Sequence, residues 1–442
     1  MKITAIETVR CAWYPRPVWV QVKTDEGTVG LGETTGGPGA VEEVIHSDFA
    51  PLLIGADPLD VEGLQSALMR RTRVWRTRDA AVRAVSAVDV ALWDVAGQAK
   101  GEPVWRMLGG KARDSIRVYN TSASAAYAVR SGEGAGRLSQ PAPSGQVAAG
   151  FPSPSQGEGQ GEGEAPSPPK ISEMVSKSKS KSAKSLFPVH DDLQWFLTDA
   201  GGLAESLLAE GFTAMKIWPF DQFADANGGH YISGEQVQRG LEPFRRIRDR
   251  VGDRMEVAAE VHSAWSLAAA ARIVDALNEF DLMWVEDPVG AQDVEALAQI
   301  ARISRNPVAA SESLATRQAY VELFDRGLVR VCMLDVCWVG GLTEARAVAS
   351  MAQSARVPLT PHDCTGPVNL MAGLHLAIHA PNALVQETVR SFNAEVYPRV
   401  VDRLPRIEGG AAHAPEAPGL GMALRQEFLN DPQTRVRTTG TG

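Results

Sequence analysis

Three glutamates close short apolar runs at equal intervals along the chain. Glu260 ends MEVAAE, Glu286 ends LMWVE and Glu312 ends PVAASE, so consecutive members of the set are 26 residues apart. Three carboxylates brought together would raise one another's pKa unless a cation neutralised them. Because Mg²⁺ prefers oxygen ligands and leaves positions open for substrate or water, we predict that these three residues bind Mg²⁺.

Three later apolar runs also end in polar residues. Asp335 follows VRVCML, His362 follows VPLTP and Glu387 follows ALVQ. An aspartate beside a histidine orients the ring and raises its basicity, as a general base requires. We therefore predict a catalytic pair of Asp335 and His362, and we expect Glu387 to bond an oxygen of the substrate on the metal.

His262 and Lys216 complete the set of candidate catalytic residues. His262 lies two residues after Glu260, and at strand spacing both side chains point the same way. We therefore expect His262 to face His362 across the site, where two histidines suit proton removal from carbon and proton donation to a leaving hydroxyl. Lys216, in FTAMKIW, would place an ammonium beside developing negative charge, with a structural salt bridge as the alternative.

The spacing of these runs predicts repeated βα units. Successive polar ends lie 23 to 27 residues apart, and segments with helical periodicity separate them, including Leu267–Leu277, Val294–Ala301 and Leu342–Ala355. A strand, a helix and two loops take about this many residues, which is typical of a parallel sheet. In a closed barrel the carboxyl ends of the strands share one face, where active sites form. His375 and His379 share one predicted helix without a metalloprotease pattern, so we expect them to pack in the core or at an interface.

The N-terminal part has a different pattern. Residues 1–33 alternate as a β-meander, and helices follow, the longest over Ala80–Ala99 with Asp79 as its cap. The loop Ala12–Pro17 is either a proline-stiffened turn or a lid over a ligand. In the lid reading, Trp13, Tyr14 and Arg16 contact substrate. We predict an α+β domain over residues 1–115, a barrel over 116–395 and a C-terminal segment, 396–442, that packs on the first domain.

One segment is compositionally unlike the rest. Residues 131–185 consist mainly of Gly, Ser, Pro, Gln and Glu and end in the basic run KSKSKSAK. Such a segment lacks the apolar side chains that would offset its ordering entropy, so we predict a disordered insert after the first barrel strand, Ile116–Ser122.

Composition bounds the function classes. The net charge of −9 and a pI near 5.5 argue against nucleic-acid binding. The four cysteines form no CxxC pair, as expected of reduced thiols in a cytoplasmic protein. No apolar run is long enough to span a bilayer, and MKITAIETVR lacks a signal-peptide core. We therefore expect a cytoplasmic enzyme with a small-molecule substrate and no membrane or nucleic-acid partner.

Taken together, these motifs resemble the mandelate racemase subgroup of the enolase superfamily. The resemblance rests on SAVDVALWDVAGQAKGEPVWRMLGG (Ser86–Gly110), the three glutamates in WVEDP and ASES contexts, the Asp335–His362 pair and the closing PGLG at Pro418. It implies an α+β capping domain on a modified (β/α)7β barrel, a TIM-type barrel, with Mg²⁺ on Glu260, Glu286 and Glu312. It also implies abstraction of the proton α to a substrate carboxylate, and a homo-oligomeric assembly.

One departure from the subgroup pattern favours a subtype. Many members carry Lys-x-Lys at the second strand end, but here the sequence is Lys216-Ile217-Trp218. The second base of the subgroup pattern is therefore missing, and Trp218 in its place becomes a candidate substrate contact. The pattern is closer to that of the acid-sugar dehydratases, in which a histidine in the position of His262 is the acid. We expect His362 to take the C2 proton and His262 to protonate the departing C3 hydroxyl, which yields a 2-keto-3-deoxy acid. Lys216 and Glu387 would stabilise the intermediate.

Two alternatives stay open at this point. The two histidines could instead racemise or epimerise a 2-hydroxy acid or acid sugar. The chain could also be a catalytically lapsed binding protein whose insert blocks the site.

Overall fold

The cap is built on an antiparallel sheet that both ends of the chain supply. A computed structural model describes residues 1–72, 80–129 and 190–441, so the predictions for Asp79 and for the insert over 131–185 lie outside the described residues. The sheet has the order β14-β1-β2-β3, with strands β1 Ile3–Cys11, β2 Pro17–Thr24, β3 Val29–Thr35 and β14 Thr434–Gly440. The last strand pairs with the first over its whole length.

Helices cover one face of this sheet. They are α1 Pro38–Glu43, α2 Ala50–Leu53, α3 Val61–Arg71, α4 Ala80–Lys100 and α5 Val104–Met107. Helix α4 packs directly on β3, where two glycines allow its backbone to approach. A Cβ on Gly32 would lie 1.8 Å from the Ala87 carbonyl oxygen, and one on Gly30 would lie 2.1 Å from that of Ala91. The Gly-x-Gly pair of β3 thus sets how closely the long helix covers the sheet.

The second sheet closes into a parallel barrel. Its strands are β4 Ser115–Thr121, β5 Ala214–Ile217, β6 Glu256–Glu260, β7 Trp284–Glu286, β8 Val308–Ala310, β9 Val331–Leu334, β10 Leu359–Pro361 and β11 Gln386–Thr388. Each strand from β4 to β9 is hydrogen-bonded in parallel to the strand that follows it, and β11 pairs with β4. The remaining gap is closed by a parallel bridge between Leu359 and Ala383.

In the described part of the chain, seven long helices follow the first seven barrel strands. They are α7 Asp192–Ala209, α8 Gly234–Val251, α9 Leu267–Leu277, α10 Val294–Ile303, α11 Gln318–Asp325, α13 Gly341–Ser354 and α14 Pro367–His379, with short helices α6 Ala125–Ala128 and α12 Val336–Val339 among them. The predicted α+β cap on a modified (β/α)7β barrel is confirmed.

The C-terminal segment contacts both parts of the protein. It contains β12 Ile407–Glu408, β13 Ala411–His413 and helix α15 Gln426–Leu429 before β14. Strand β13 pairs antiparallel with the start of β4, so this segment touches the barrel as well as the cap sheet.

The barrel interior is packed with unequal side chains. Tyr119 and Trp284 meet edge to face, with ring centroids 5.2 Å apart, and alanines from neighbouring strands leave room for them. This layer forms the floor beneath the polar strand ends. Among the helices that the structure describes, none combines the length and hydropathy that crossing a bilayer requires.

Candidate active site

The three evenly spaced glutamates converge at the carboxyl ends of their strands. Glu260 and Glu286 are the last residues of β6 and β7, and Glu312 lies in the turn after β8. One carboxylate oxygen from each lies within 4.8 Å of the others. The strand of Glu312 ends earlier than its sequence pattern indicates, because Ser311 adopts a φ of 103° and turns the chain toward the centre.

N–H groups of the protein donate hydrogen bonds to one oxygen of each of two of these carboxylates. Glu260 Oε1 accepts the backbone N–H groups of Val261 and His262, at 2.9 and 2.6 Å. Glu286 Oε2 accepts the indole N–H of Trp284 at 2.7 Å. Such bonds hold the carboxylates in place, as the outer contacts of metal ligands do.

A buried lysine lies among these carboxylates. Lys216 lies near the end of β5. Its Nζ atom lies 3.4 Å from Glu260 Oε2 and 3.0 Å from Glu387 Oε1, and it also pairs with Glu286. Burial opposes the charge on Lys216, but the surrounding carboxylates outweigh it and hold the lysine pKa well above its ordinary value. Both readings of Lys216 thus have support in the geometry, since the residue is ion-paired and also lines the cavity.

The donor set fits a hard divalent cation. All three converging ligands are oxygen donors, and no sulfur or imidazole belongs to the cluster in the described chain. Burial raises the pKa of Glu286 well above its usual range, and repulsion from Glu260 is the next largest cause. The Lys216 ammonium relieves that repulsion only in part, and a dipositive ion with oxygen preference would relieve it further.

The predicted pair of His362 and Asp335 is formed in the structure. His362 follows β10, Asp335 follows β9, and His362 Nδ1 lies 2.8 Å from Asp335 Oδ2. The other ring nitrogen, Nε2, lies 3.3 Å from Glu312 Oε2 and so faces the glutamate cluster. Burial disfavours the imidazolium, but Glu312 and other nearby charges outweigh burial and raise the pKa of His362 well above its ordinary value.

Sequence reasoning missed the residue that holds this pair. The Asn369 side-chain amide donates to Asp335 Oδ2 and to the His362 carbonyl, both at 3.0 Å. Asn369 comes from the first turn of α14, one connection beyond His362. Its role depends on how that helix docks, and an asparagine inside an apolar helix gives no signal of it.

His262 also has a carboxylate partner, which the sequence pattern did not reveal. Its Nδ1 lies 2.7 Å from Asp221 Oδ2, and Asp221 is buried in a single turn of 3₁₀-helix, Asp221–Phe223, after β5. Burial opposes the imidazolium, but Asp221 and Glu260 dominate and raise the pKa of His262 to about 10. The acidic residue after β5 was the available signal.

The predicted reason for the orientation of His262 is wrong. Strand β6 ends at Glu260, and His262 and Ser263 have φ of 53° and 52°, so strand alternation does not apply. The left-handed turn, anchored by the bond from His262 N to Glu260, brings the ring into the cavity instead.

The two histidines stand on opposite sides of the barrel. His262 follows β6 and His362 follows β10, with β7, β8 and β9 between them one way round and β5, β4 and β11 the other. Both line one cavity of about 150 Å³, and Lys216, Glu260 and Glu312 lie in the same wall. Two carboxylate-backed imidazoles therefore flank a single acidic centre.

Glu387 does not line the cavity. It is in the middle of β11, fully buried, and its Oε2 accepts the Asp363 N–H at 2.8 Å. Its other oxygen takes the Thr121 hydroxyl and the Lys216 ammonium. Thr121 itself lines the cavity and was not among the predicted residues.

Only part of the predicted substrate wall lines the cavity. Trp218 and Arg16 do, but the structure differs from the prediction for Trp13 and Tyr14. The Tyr14 hydroxyl donates to the Thr365 carbonyl at 2.9 Å inside the cap–barrel packing, and Trp13 stacks on Tyr14. Tyr14 is buried and Trp13 is half-buried, and neither ring belongs to the cavity wall.

Besides Thr121 and Ala123, the cavity wall contains three residues that sequence reasoning did not single out: Tyr127, Trp338 and Cys364. Trp338 packs near the His362 ring, with centroids 5.2 Å apart, and the Cys364 sulfur lies 3.4 Å from His362 Nε2. Tyr127 and Trp338 lie in the short helices α6 and α12, and Cys364 lies three residues after β10, so none of the three occupies a strand end.

Comparison with known families covers most of the chain. The model described as mandelate racemase / muconate lactonizing enzyme, N-terminal domain, matches residues 2–109, and the enolase C-terminal domain-like model matches residues 199–428. These ranges correspond to the cap and to the greater part of the barrel.

Individual relatives agree with this assignment. The chain is 27% identical to a D-galactonate dehydratase of Ralstonia nicotianae (97% of this chain, 94% of the relative) and 26% identical to one of Klebsiella pneumoniae (99% and 95%). Among solved structures, an enolase from Sargasso Sea environmental sequencing is 39% identical with a TM-score of 0.80, covering 100% of this chain and 99% of that one. An Agrobacterium tumefaciens enolase of the mandelate racemase subgroup is 37% identical with a TM-score of 0.79, at the same coverage. The chain belongs to the mandelate racemase / muconate lactonizing enzyme family of the enolase superfamily.

Proposed function

We propose that this protein is a Mg²⁺-dependent dehydratase that converts an acid sugar to a 2-keto-3-deoxy acid. The observation that carries the proposal is the pair of carboxylate-backed histidines on opposite sides of the glutamate cluster. Curated relatives named D-galactonate dehydratase, aligned over nearly the whole chain, support an acid sugar as substrate.

Glu260, Glu286 and Glu312 would hold the cation. When bound, Mg²⁺ supplies Lewis-acid stabilisation of the negative charge that builds on the substrate carboxylate as the α-proton leaves. Lys216 lies within ion-pair reach of the same cluster, so its ammonium would add to that stabilisation.

His362 is the proposed base. Asp335 accepts from Nδ1–H, so Nε2, which faces the cavity and Glu312, is the nitrogen that would take the C2 proton. The electrons of the broken C2–H bond move toward C1, and the buried Asp335 stabilises the imidazolium that forms.

His262 is the proposed acid. Asp221 Oδ2 lies 2.7 Å from the Nδ1 atom of this ring and stabilises its protonated form. Its proton passes to the C3 hydroxyl as the C3–O bond breaks and water leaves. The resulting C2–C3 enol tautomerises to the 2-keto acid, so one substrate gives one keto acid and one water.

Epimerisation is the second candidate, because two imidazoles on opposite sides of one centre could also exchange a proton between faces. In that case recovered substrate would carry solvent deuterium with inverted configuration, and no keto acid would form. Trp218 in the wall, beside His262 with ring centroids 5.7 Å apart, fills the space of the second basic residue and favours dehydration.

A screen tests the proposal directly. Aldonic and aldaric acids are incubated with the protein and MgCl₂, and keto acid is measured as its semicarbazone. We expect turnover of at least one acid, loss of turnover with excess EDTA and recovery with Mg²⁺. Absence of keto acid from every acid, with Mg²⁺ present, would contradict dehydration, and a lapsed binding protein would give that result.

A further inference from the structure

Among the described residues, no carboxylate pairs with Arg16, a cation in the cavity wall. Arg16, in the loop between β1 and β2, is half-buried and lines the cavity, with its guanidinium 5.7 Å from the centroid of the Tyr127 ring. Within residues 1–72, 80–129 and 190–441, no acidic group comes within ion-pair distance of it. By contrast Arg390, which is buried, pairs with Asp192 at 2.6 Å. A guanidinium held at a cavity without a counter-ion is suited to bind an anion there.

A second cap arginine lies behind the same wall. The Arg83 guanidinium, on α4, sits over the ring of Trp338, 4.4 Å from its centroid, and donates to the Thr35 carbonyl at 2.7 Å. In the described chain it too has no ion-pair partner. Arg16 lines the cavity and Arg83 does not, so Arg16 is the cap arginine that a ligand in the cavity can reach.

Two aromatic rings lie between Arg16 and His262 along the cavity wall. The His262 ring neighbours Trp218, with ring centroids 5.7 Å apart, and Trp218 neighbours Tyr127, 6.2 Å apart. The Arg16 guanidinium lies 5.7 Å from the Tyr127 ring centroid. A substrate whose C1 carboxylate meets the glutamate cluster would extend along this line, and its other end would meet Arg16.

We propose that the substrate carries a second anionic group at the end remote from C1, that this group is a terminal carboxylate, and that Arg16 binds it. The substrate class is then the aldaric acids, the sugar diacids, and the monocarboxylic aldonic acids are poorer substrates. This inference rests on the proposed dehydration and specifies its substrate. A neutral terminal hydroxyl would leave the Arg16 charge without an anion in the closed site.

The test compares acids that differ only at the remote end. Galactarate and galactonate share their hydroxyl configuration and differ in having a carboxylate or a hydroxymethyl group at C6. Steady-state kcat/KM with MgCl₂ is measured for both with the wild type and with Arg16→Met. We expect the wild type to prefer the diacid, and the diacid-to-monoacid ratio of kcat/KM to fall about 10- to 100-fold in Arg16→Met, as loss of one charge-assisted contact predicts.

Two further arms complete the design. Arg399→Met is the matched control, because the Arg399 guanidinium also lies over an aromatic ring, 4.0 Å from the Trp13 centroid, but outside the cavity wall. It should retain the wild-type ratio, and Arg16→Lys should retain part of it. Gluconate, glucarate and 6-phosphogluconate form the second arm, in which glucarate should be preferred.

Several outcomes overturn the inference and leave dehydration intact. They are equal turnover of monoacid and diacid, an Arg16→Met variant that lowers both equally, and preference for the phosphorylated acid. Failure of every acid to yield keto acid would instead contradict the dehydration proposal itself. The two failures are therefore distinguishable in one set of assays.

Discussion

The two histidines of the site each have a carboxylate partner, but different structural elements position the two pairs. His362 and Asp335 each follow a barrel strand directly, on neighbouring strands, and the His362 side chain is 3% exposed. His262 reaches the cavity from a left-handed turn, its partner Asp221 comes from a separate 3₁₀ turn, and its side chain is 24% exposed. The first pair is fixed by the barrel and the second by its loops.

This difference has a functional meaning under the proposed mechanism. A C2 proton must be taken by a ring in one tautomer, within a closed environment, which suits the buried pair. Delivery of a proton to a departing hydroxyl tolerates water, which suits the more exposed ring. The comparison predicts that the buried pair is the less tolerant of change.

The largest effect is expected at Asp335. Asp335→Asn removes the acceptor that fixes the tautomer of His362, so kcat should fall about 10³- to 10⁴-fold with the fold preserved. Asp221→Asn should lower kcat only about 10- to 100-fold, because water can assist the exposed His262. Steady-state kinetics with the best acid from the screen, together with circular dichroism of each variant, provide the measurement.

A reversed order would break the comparison. If Asp221→Asn cost more than Asp335→Asn, the loop-held pair would be the one that limits turnover. Equal losses would mean that exposure does not decide tolerance at this site.

His375, outside the site, shows how burial without a carboxylate partner affects a histidine. His375, in α14, accepts the Trp105 N–H at 3.1 Å, and burial lowers its pKa to about 4. Its neutral form therefore stabilises the fold above pH 6.5, the ordinary value, and that stability is lost as pH falls toward 4. The free energy of unfolding should drop by roughly 3 kcal/mol more in the wild type than in His375→Gln between pH 7 and pH 4.

Urea unfolding at both pH values measures this effect. His379→Gln, on the same helix and bonded to the Gly110 carbonyl at 2.8 Å, is the matched control and should keep the wild-type pH dependence. Identical pH dependence in the wild type and His375→Gln would show that His375 does not titrate on unfolding. The contrast in pKa between His375 and the two active-site histidines, which have carboxylate partners, would then lose its support.

How much the sequence could predict follows the same division between barrel and loops. Apolar runs in the sequence locate strand ends well. The site residues that end regular strands or follow them directly are Glu260, Glu286, Asp335 and His362. Asp221 and Asn369 depend on a turn conformation and on helix docking, neither of which has a period. Trp13 and Tyr14 were placed by residue type alone, and aromatic rings at a domain junction are as readily buried in packing as exposed to a ligand.

The most direct test of the account separates the two histidines by the proton each handles. Substrate is incubated with Mg²⁺ in D₂O, and deuterium at C2 of recovered substrate is measured by NMR alongside keto acid. His262→Gln should exchange the C2 proton while forming little keto acid, and His362→Asn should do neither. Exchange at C2 by His362→Asn, or dehydration by His262→Gln at the wild-type rate, would contradict the assignment of base and acid.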